Sequence, residues 1–152
     1  MPQVSRILVA IDGSDTSFKA ADMAIQIAEK YQAELFALYV VVSATGYDYS
    51  MFATIAPTDA VIRQILAEAR EAAQKWFDEV EKKARLRNIA VKSEVIVSPT
   101  SVGSAIINYA EDKNIDILVV GTRGMTGFKK LLLGSVASSV VTYSSCPVLV
   151  VK

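Results

Sequence analysis

The chain has 152 residues, with 16 Lys plus Arg against 16 Asp plus Glu, no histidine and one cysteine; 52% of it is hydrophobic and 21% charged. This length supports one domain with a substantial core, spanning residues 1–152, rather than two. The neutral balance excludes a general nucleic-acid binder, which needs an excess of basic residues, and the apolar content excludes intrinsic disorder. Without histidine there is no His-based triad or imidazole metal site, and one thiol makes neither an internal disulfide nor a thiolate cluster.

Residues 1–6 carry no cleavable signal architecture and run straight into an apolar stretch. Val4 to Ile11, rich in Ile and Val and closed by Asp12-Gly13-Ser14, predicts a buried strand leading into a helix, with Ser14 as N-cap. The helix carries an apolar stripe of Phe18, Ala21, Ala24, Ile25, Ala28 and Tyr31, and Glu34 to Val42 predicts a second strand. Residues 43–57, with Gly46, Pro57 and three aromatics, are expected to form a long loop able to cover a site. Thr58 or Asp59 caps the longest helix, whose buried side runs from Val61 through Leu66, Ala73, Trp76 and Val80 to Ala84. Glu71/Lys75, Asp78/Lys82, Glu79/Lys83 and Glu81/Arg85 are acid-before-base pairs on its solvated face.

Val91 to Val97 predicts a third strand, Ser101 to Lys113 a helix packed through Val102, Ile106 and Ala110, and Ile115 to Val120 a fourth strand. A helix follows Gly134, and Pro147 to Val151 is a fifth strand. Leu131 to Val151 is uncharged and long enough to span a bilayer, but Ser135, Ser138, Ser139 and Thr142 give it a half-polar helical face before Pro147. The expected protein is soluble and cytoplasmic, with no membrane partner. Strands alternating with helices imply right-handed crossovers and a parallel sheet covered on both faces, with ligands beyond the carboxyl ends of the strands. Asp12-Gly13-Ser14, the stretch after Val40, and Gly121 onward lie at such ends.

The chemistry concentrates after the fourth strand. Gly121, Gly124 and Gly127 let the backbone turn tightly and approach a ligand, and Gly134-Ser135 opens the next helix. The N–H groups of Ser135, Val136 and Ala137 lack helical partners and sit at the positive end of the helix dipole, a natural phosphate site. After Asp116 there is no carboxylate, while Arg123, Lys129, Lys130 and Lys152 are basic. The segment is built for an anion. It is not a P-loop, because no Gly-Lys-Ser/Thr follows, and the dinucleotide fingerprint would lie after the first strand.

The spacing Gly121-x2-Gly124-x9-Gly134-Ser135, the first-strand ending Val9-Ala10-Ile11-Asp12-Gly13-Ser14 and the closing Cys146-Pro147 resemble the universal stress proteins, in particular their ATP-binding branch. The resemblance spans the chain and departs from the family at Ser98-Pro99, where Gly followed by Asp or Asn is frequent. It implies a Rossmann-like, open five-stranded parallel sheet in the order 3-2-1-4-5, with helices on both faces. It implies ATP as the ligand, with Mg²⁺ or Mn²⁺ bound through the phosphates. Asp12 would then accept a hydrogen bond from the nucleoside, Ala10 would lie against it, and the Val40 backbone would meet the adenine edge. Gly121, Thr122, Arg123, Gly124, Met125, Thr126 and Gly127 would wrap ribose and phosphates, and Gly134, Ser135, Val136 and Ala137 would hold the β and γ phosphates.

The function expected is an ATP-dependent regulator or switch in stress response. A slow ATPase or phosphotransferase is the enzymatic alternative; the absence of histidine and the lone Asp12 speak for weak or absent turnover. A nucleotide-free interaction module is a further alternative, and the intact glycine motif speaks against it. A pyrophosphatase-type loop lacks its double glycine here, and a receiver domain would need more acids than Asp12. The last strand, Pro147 to Val151, should sit at a sheet edge with almost no charge, which predicts a homodimer paired antiparallel through that strand.

Overall fold

The computed structural model describes residues 3–43, 58–123 and 133–152; the loop read over 43–57, apart from Ser43, and the segment holding Gly124 to Gly127, Lys129 and Lys130 lie outside the described residues. Strands and helices alternate as β1 (Arg6–Ala10), α1 (Asp15–Tyr31), β2 (Glu34–Val42), α2 (Asp59–Arg85), β3 (Val91–Ser98), α3 (Val102–Asp112), β4 (Ile117–Gly121), α4 (Ser135–Tyr143) and β5 (Val148–Val151). The five strands form one sheet in the order β3-β2-β1-β4-β5, and all pairs are parallel. The expected order 3-2-1-4-5 is the observed one.

Alternation along each strand divides the core between the two faces. Ile7, Val9, Leu35, Ala37 and Val119 pack with α1 and α2 residues such as Ala24, Ala73, Phe77 and Val80. Leu8, Phe36, Leu38, Val40, Leu118 and Val120 face the other way, against Ile106, Tyr109 and Ala110 of α3 and Ala137 and Val140 of α4. A strand apolar in every residue is what burial on both faces requires.

Three helices start on hydroxyl caps: Ser14, Thr58 and Ser101 each accept a bond from the backbone N–H three residues on. The fourth starts on Gly134 and has no side-chain cap. The amino ends of β1 and β4 are tied by Asp116, whose Oδ2 accepts the N–H groups of Ser5 at 2.8 Å and Arg6 at 2.9 Å.

Some local expectations differ from the structure. Regular pairing of β1 is confined to Arg6–Ala10, and β4 runs from Ile117 into Gly121, so the strand ends shift by one or two residues. Val61, placed on the buried side of the long helix, is 45% exposed, and Tyr31 is 49% exposed. Both stand at helix ends, where an apolar stripe can outlast the surface it packs on. Of the four acid-before-base pairs, Glu79–Lys83 forms at 3.4 Å, and Lys83 also reaches Asp22 of α1 at 3.0 Å. Asp78 instead accepts from Gln74 at 2.7 Å and Glu81 from Ser93 at 2.8 Å. Exposed charges gain little from any one partner, so nearby hydroxyl and amide donors compete for them.

Candidate functional site

β2 and β3 lie on one side of β1, and β4 and β5 on the other, so the strand order reverses between β1 and β4. Chain segments leaving those two strands diverge to opposite faces and open a crevice at their carboxyl ends. A cleft occupies that position, and its lining includes all ten described candidates: Ala10, Asp12, Val40, Gly121, Thr122, Arg123, Gly134, Ser135, Val136 and Ala137. Gly124, Met125, Thr126 and Gly127 lie outside the described residues. The cavity measures about 120 Å³. Ordinary small-molecule pockets hold roughly 300–1,000 Å³, so the described residues alone enclose part of a nucleotide-sized ligand.

Asp12 follows β1 at the mouth. Its Oδ1 accepts the Ser14 N–H at 2.9 Å and the Ser14 hydroxyl, while Oδ2 has no hydrogen-bond partner among the described residues. Ser14 in turn caps α1 through the Ser17 N–H. One carboxylate oxygen therefore builds the turn, and the other remains an acceptor on a cleft-lining residue.

Val40 offers its backbone. Along β2, Glu34 donates its N–H to Ser5 on the β1 side, while Ser43 donates to Ser98 on the β3 side. Alternation then turns the N–H and C=O of Leu38 and Val40 toward β1. Ile11 closes the last of these bonds, N–H to the Leu38 carbonyl at 2.8 Å. Beyond it the chain swings away into Asp12-Gly13, and no described residue bonds the Val40 N–H or C=O on that side. A donor and an acceptor are left side by side at the cleft wall.

Opposite them is the β4–α4 connection. A Cβ on Gly121 would lie 2.6 Å from Thr16 Oγ1 and 2.8 Å from the Thr16 carbonyl carbon, so α1 and β4 approach here only because residue 121 has no side chain. The Thr16 hydroxyl donates to the Arg123 carbonyl at 2.5 Å, which pins the start of the glycine segment to the first turn of α1. Thr122 is buried, and its backbone joins three elements: its N–H donates to Val151 of β5, and its C=O accepts from Gly134 at the start of α4. That last bond sets the uncapped α4 amino end beside β4, so its first-turn N–H groups border the cleft.

The remaining lining residues carry the sequence pattern of a core or no distinctive signal. Val102 and Ile106 of α3, with Val120, supply an apolar floor. Their spacing of four, directly after β3, is the signal of a helix face that can serve either role. Tyr39 lines the side nearer α2, and burial first, then the Asp12 charge, raises its phenol pKa above the usual value, so it stays a neutral hydroxyl beside the carboxylate. Thr16 carries no sequence signal beyond its place in a helix first turn. Among the described residues, no group of three His, Cys, Asp or Glu side chains could hold a metal ion.

A family model described as the Universal stress protein family matches residues 3–152. The chain is 36% identical over 148 residues to universal stress protein YxiE of Bacillus subtilis, covering 97% of this chain and 99% of that protein. The solved universal stress protein UspA from Lactobacillus plantarum superposes with a TM-score of 0.81 at 28% identity, covering 100% of both chains. A solved universal stress protein in complex with cAMP shares the fold at a TM-score of 0.71 and 24% identity, over 99% of each chain.

Proposed function

The chain belongs to the universal stress protein family, and from that membership we propose that it binds ATP in the cleft between β1 and β4 and acts as a nucleotide-dependent switch in stress response. The observation that carries this reading is the Val40 N–H and C=O, unbonded on the β1 side among the described residues, beside an apolar floor. A purine edge offers a matching acceptor and donor. Adenine presents them as N1 and N6, and guanine reverses their order, so a base whose direction is set by its ribose selects ATP over GTP. A family relative of the same fold holding an adenine nucleotide supports the same ligand class.

The nucleoside lies against Ala10, with Asp12 Oδ2 accepting from a ribose hydroxyl. The segment from Gly121 to Gly127 wraps ribose and phosphates, and the N–H groups of Ser135, Val136 and Ala137 take the β and γ phosphates. Asp12 is the one carboxylate among the described lining residues, so Mg²⁺ or Mn²⁺ rides on the phosphates rather than in a protein cage. A single acid already engaged in its turn is poor equipment for orienting water, and turnover is slow or absent.

Titrating nucleotide-stripped protein tests the reading: ATP saturates, GTP binds more weakly, and no saturable ATP binding at millimolar concentration overturns it. Single-turnover hydrolysis with Mg²⁺ at about 1 per second or faster would move the protein to the enzymes.

The same proposal includes a homodimer through β5. This strand is a sheet edge with no charged residue, Leu149 is 37% exposed, and Val141 and Tyr143 of the neighbouring α4 are exposed as well. The opposite edge, β3, carries Lys92 and Glu94 instead. Antiparallel pairing of two β5 strands covers the bare edge. Light scattering decides: a 16.4 kDa species refutes the dimer, and a Leu149→Lys variant that stays dimeric refutes β5 as its interface.

A further inference from the structure

The cleft is lined by residues of β1, β2, β4, α1, α3 and α4, yet the Asp12 turn is packed on from α2. The indole of Trp76 packs onto Gly13, the residue after Asp12, so closely that a Cβ there would lie 2.5 Å from Cε2 and 2.9 Å from Nε1. Gly13 also has φ +82°, a backbone conformation that L side chains rarely adopt. The same indole forms a T-shaped pair with Tyr39, ring centroids 5.0 Å apart at an interplanar angle of 87°. Tyr39 lines the cleft, and Trp76 does not.

One half-buried side chain thus touches both neighbours of the nucleoside end: the turn that carries Asp12 and the ring beside it. The contact with Gly13 fills the space a side chain would need, and the left-handed backbone there suits glycine alone. A displaced indole frees the turn to swing, and with it the direction of Asp12 Oδ2. The phosphate end is tied elsewhere: Thr122 bonds Val151 and the Gly134 N–H at the start of α4, and the adjacent Arg123 carbonyl accepts from Thr16.

We propose that Trp76 is a positioning residue for nucleoside recognition: by clamping Gly13 and Tyr39 from α2, it aims Asp12 at the ribose while leaving the phosphate end unaffected. This rests on the adenine-nucleotide reading of the cleft. It deepens that reading by assigning the two ends of the ligand to different supports.

The test compares ATP, adenosine and inorganic tripolyphosphate as titrants of the full chain, wild type and variants. Trp76→Leu should weaken ATP and adenosine by about tenfold, the low end of what losing the support behind a binding group costs. Its tripolyphosphate affinity should match the wild type. Trp76→Phe, which keeps a ring on Gly13, should recover most of the loss. Val80→Ala, a cavity in the buried side of the same helix, should destabilise the protein without this pattern. The inference is overturned if Trp76→Leu binds adenosine within twofold of wild type, if tripolyphosphate affinity falls equally, or if Val80→Ala loses as much adenosine affinity. A wild type that takes up no adenine nucleotide overturns the site reading instead. Trp76 is the single tryptophan, so wild-type fluorescence gives a second measurement should Trp76→Leu fail to fold. Adenosine should shift the emission saturably and tripolyphosphate should not; equal shifts or none with adenosine overturn the clamp.

Discussion

The two ends of the central strand pair β1/β4 each carry an aspartate, and the two are used in opposite ways. At the amino end, Asp116 Oδ2 receives the N–H groups of Ser5 and Arg6, the Asp116 N–H donates to the Arg6 carbonyl, and the Arg6 guanidinium reaches the Lys113 carbonyl. This end is sewn shut. At the carboxyl end, Asp12 spends one oxygen on the Ser14 turn, and the other has no partner among the described residues. The Val40 N–H and C=O nearby have no bond on the β1 side among the described residues. The same residue type on the same strands thus makes structure at one end and leaves binding capacity at the other. The difference arises because β1 and β4 converge with their neighbours at the amino end and diverge at the switch point.

Four substitutions would break or sharpen that contrast. The largest effect is expected from Gly121→Val, which drives a branched side chain into Thr16 at the open end. It should cost about 3 kcal/mol of stability and also weaken ATP binding, read by denaturant unfolding and titration together. Asp116→Ala should cost about 2 kcal/mol, because two backbone donors lose a charged acceptor, while ATP affinity stays unchanged. Asp12→Ala should do the reverse: about tenfold weaker ATP binding, equivalent to about 1.4 kcal/mol, with a smaller loss in unfolding free energy. Equal behaviour of these two variants in both assays would erase the distinction between the ends.

The smallest effect concerns alkaline pH. Tyr109 of α3 donates its hydroxyl to Glu94 at 2.8 Å, and burial, then that bond and the Glu94 charge, raises its pKa well above the usual tyrosine value. The folded state therefore favours the protonated phenol. Its stabilisation is fully present below the unfolded tyrosine pKa near 10 and is lost as the pH climbs from there toward the folded value. Tyr109→Phe should cost about 1 kcal/mol at neutral pH and should flatten the stability loss above about pH 10. An unchanged alkaline slope in urea melts would place that titration elsewhere.

Much of the fold is legible residue by residue, because its signals are local. Apolar runs such as Ile7-Leu8-Val9 and Leu118-Val119-Val120, punctuated by Gly13, Pro99 and Pro147, announce buried parallel strands separated by helices. Ser101, which the sequence places inside its helix, caps it, whereas the caps at Ser14 and Thr58 are visible as hydroxyl residues before helical stripes. The ion-pair pattern on α2 is less so, since Asp78 and Glu81 found partners that helical spacing alone does not rank. For the cleft, the glycine spacing marks the β4–α4 connection, and the turn after β1 marks Asp12. Val102 and Ile106 read equally well as core.

The sequence by itself determined the alternation of strands and helices, the apolar character of both sheet faces and the glycine-marked segment after β4, because each depends on near neighbours in the chain. Only the tertiary structure decided which groups stay unbonded and which are locked. Among the described residues nothing bonds the Val40 N–H and C=O on the β1 side, because β1 leaves the sheet one residue after Ala10, a fact of two strands and not of either sequence. Thr16 can fasten Arg123 across 107 residues of chain because Gly121 lets α1 and β4 touch. Trp76 lies on Gly13 because α1, over β1 and β4, and α2, over β2 and β3, pack side by side on one sheet face. Such contacts join residues whose spacing in sequence carries no period, so they become visible only when the sheet order brings them together.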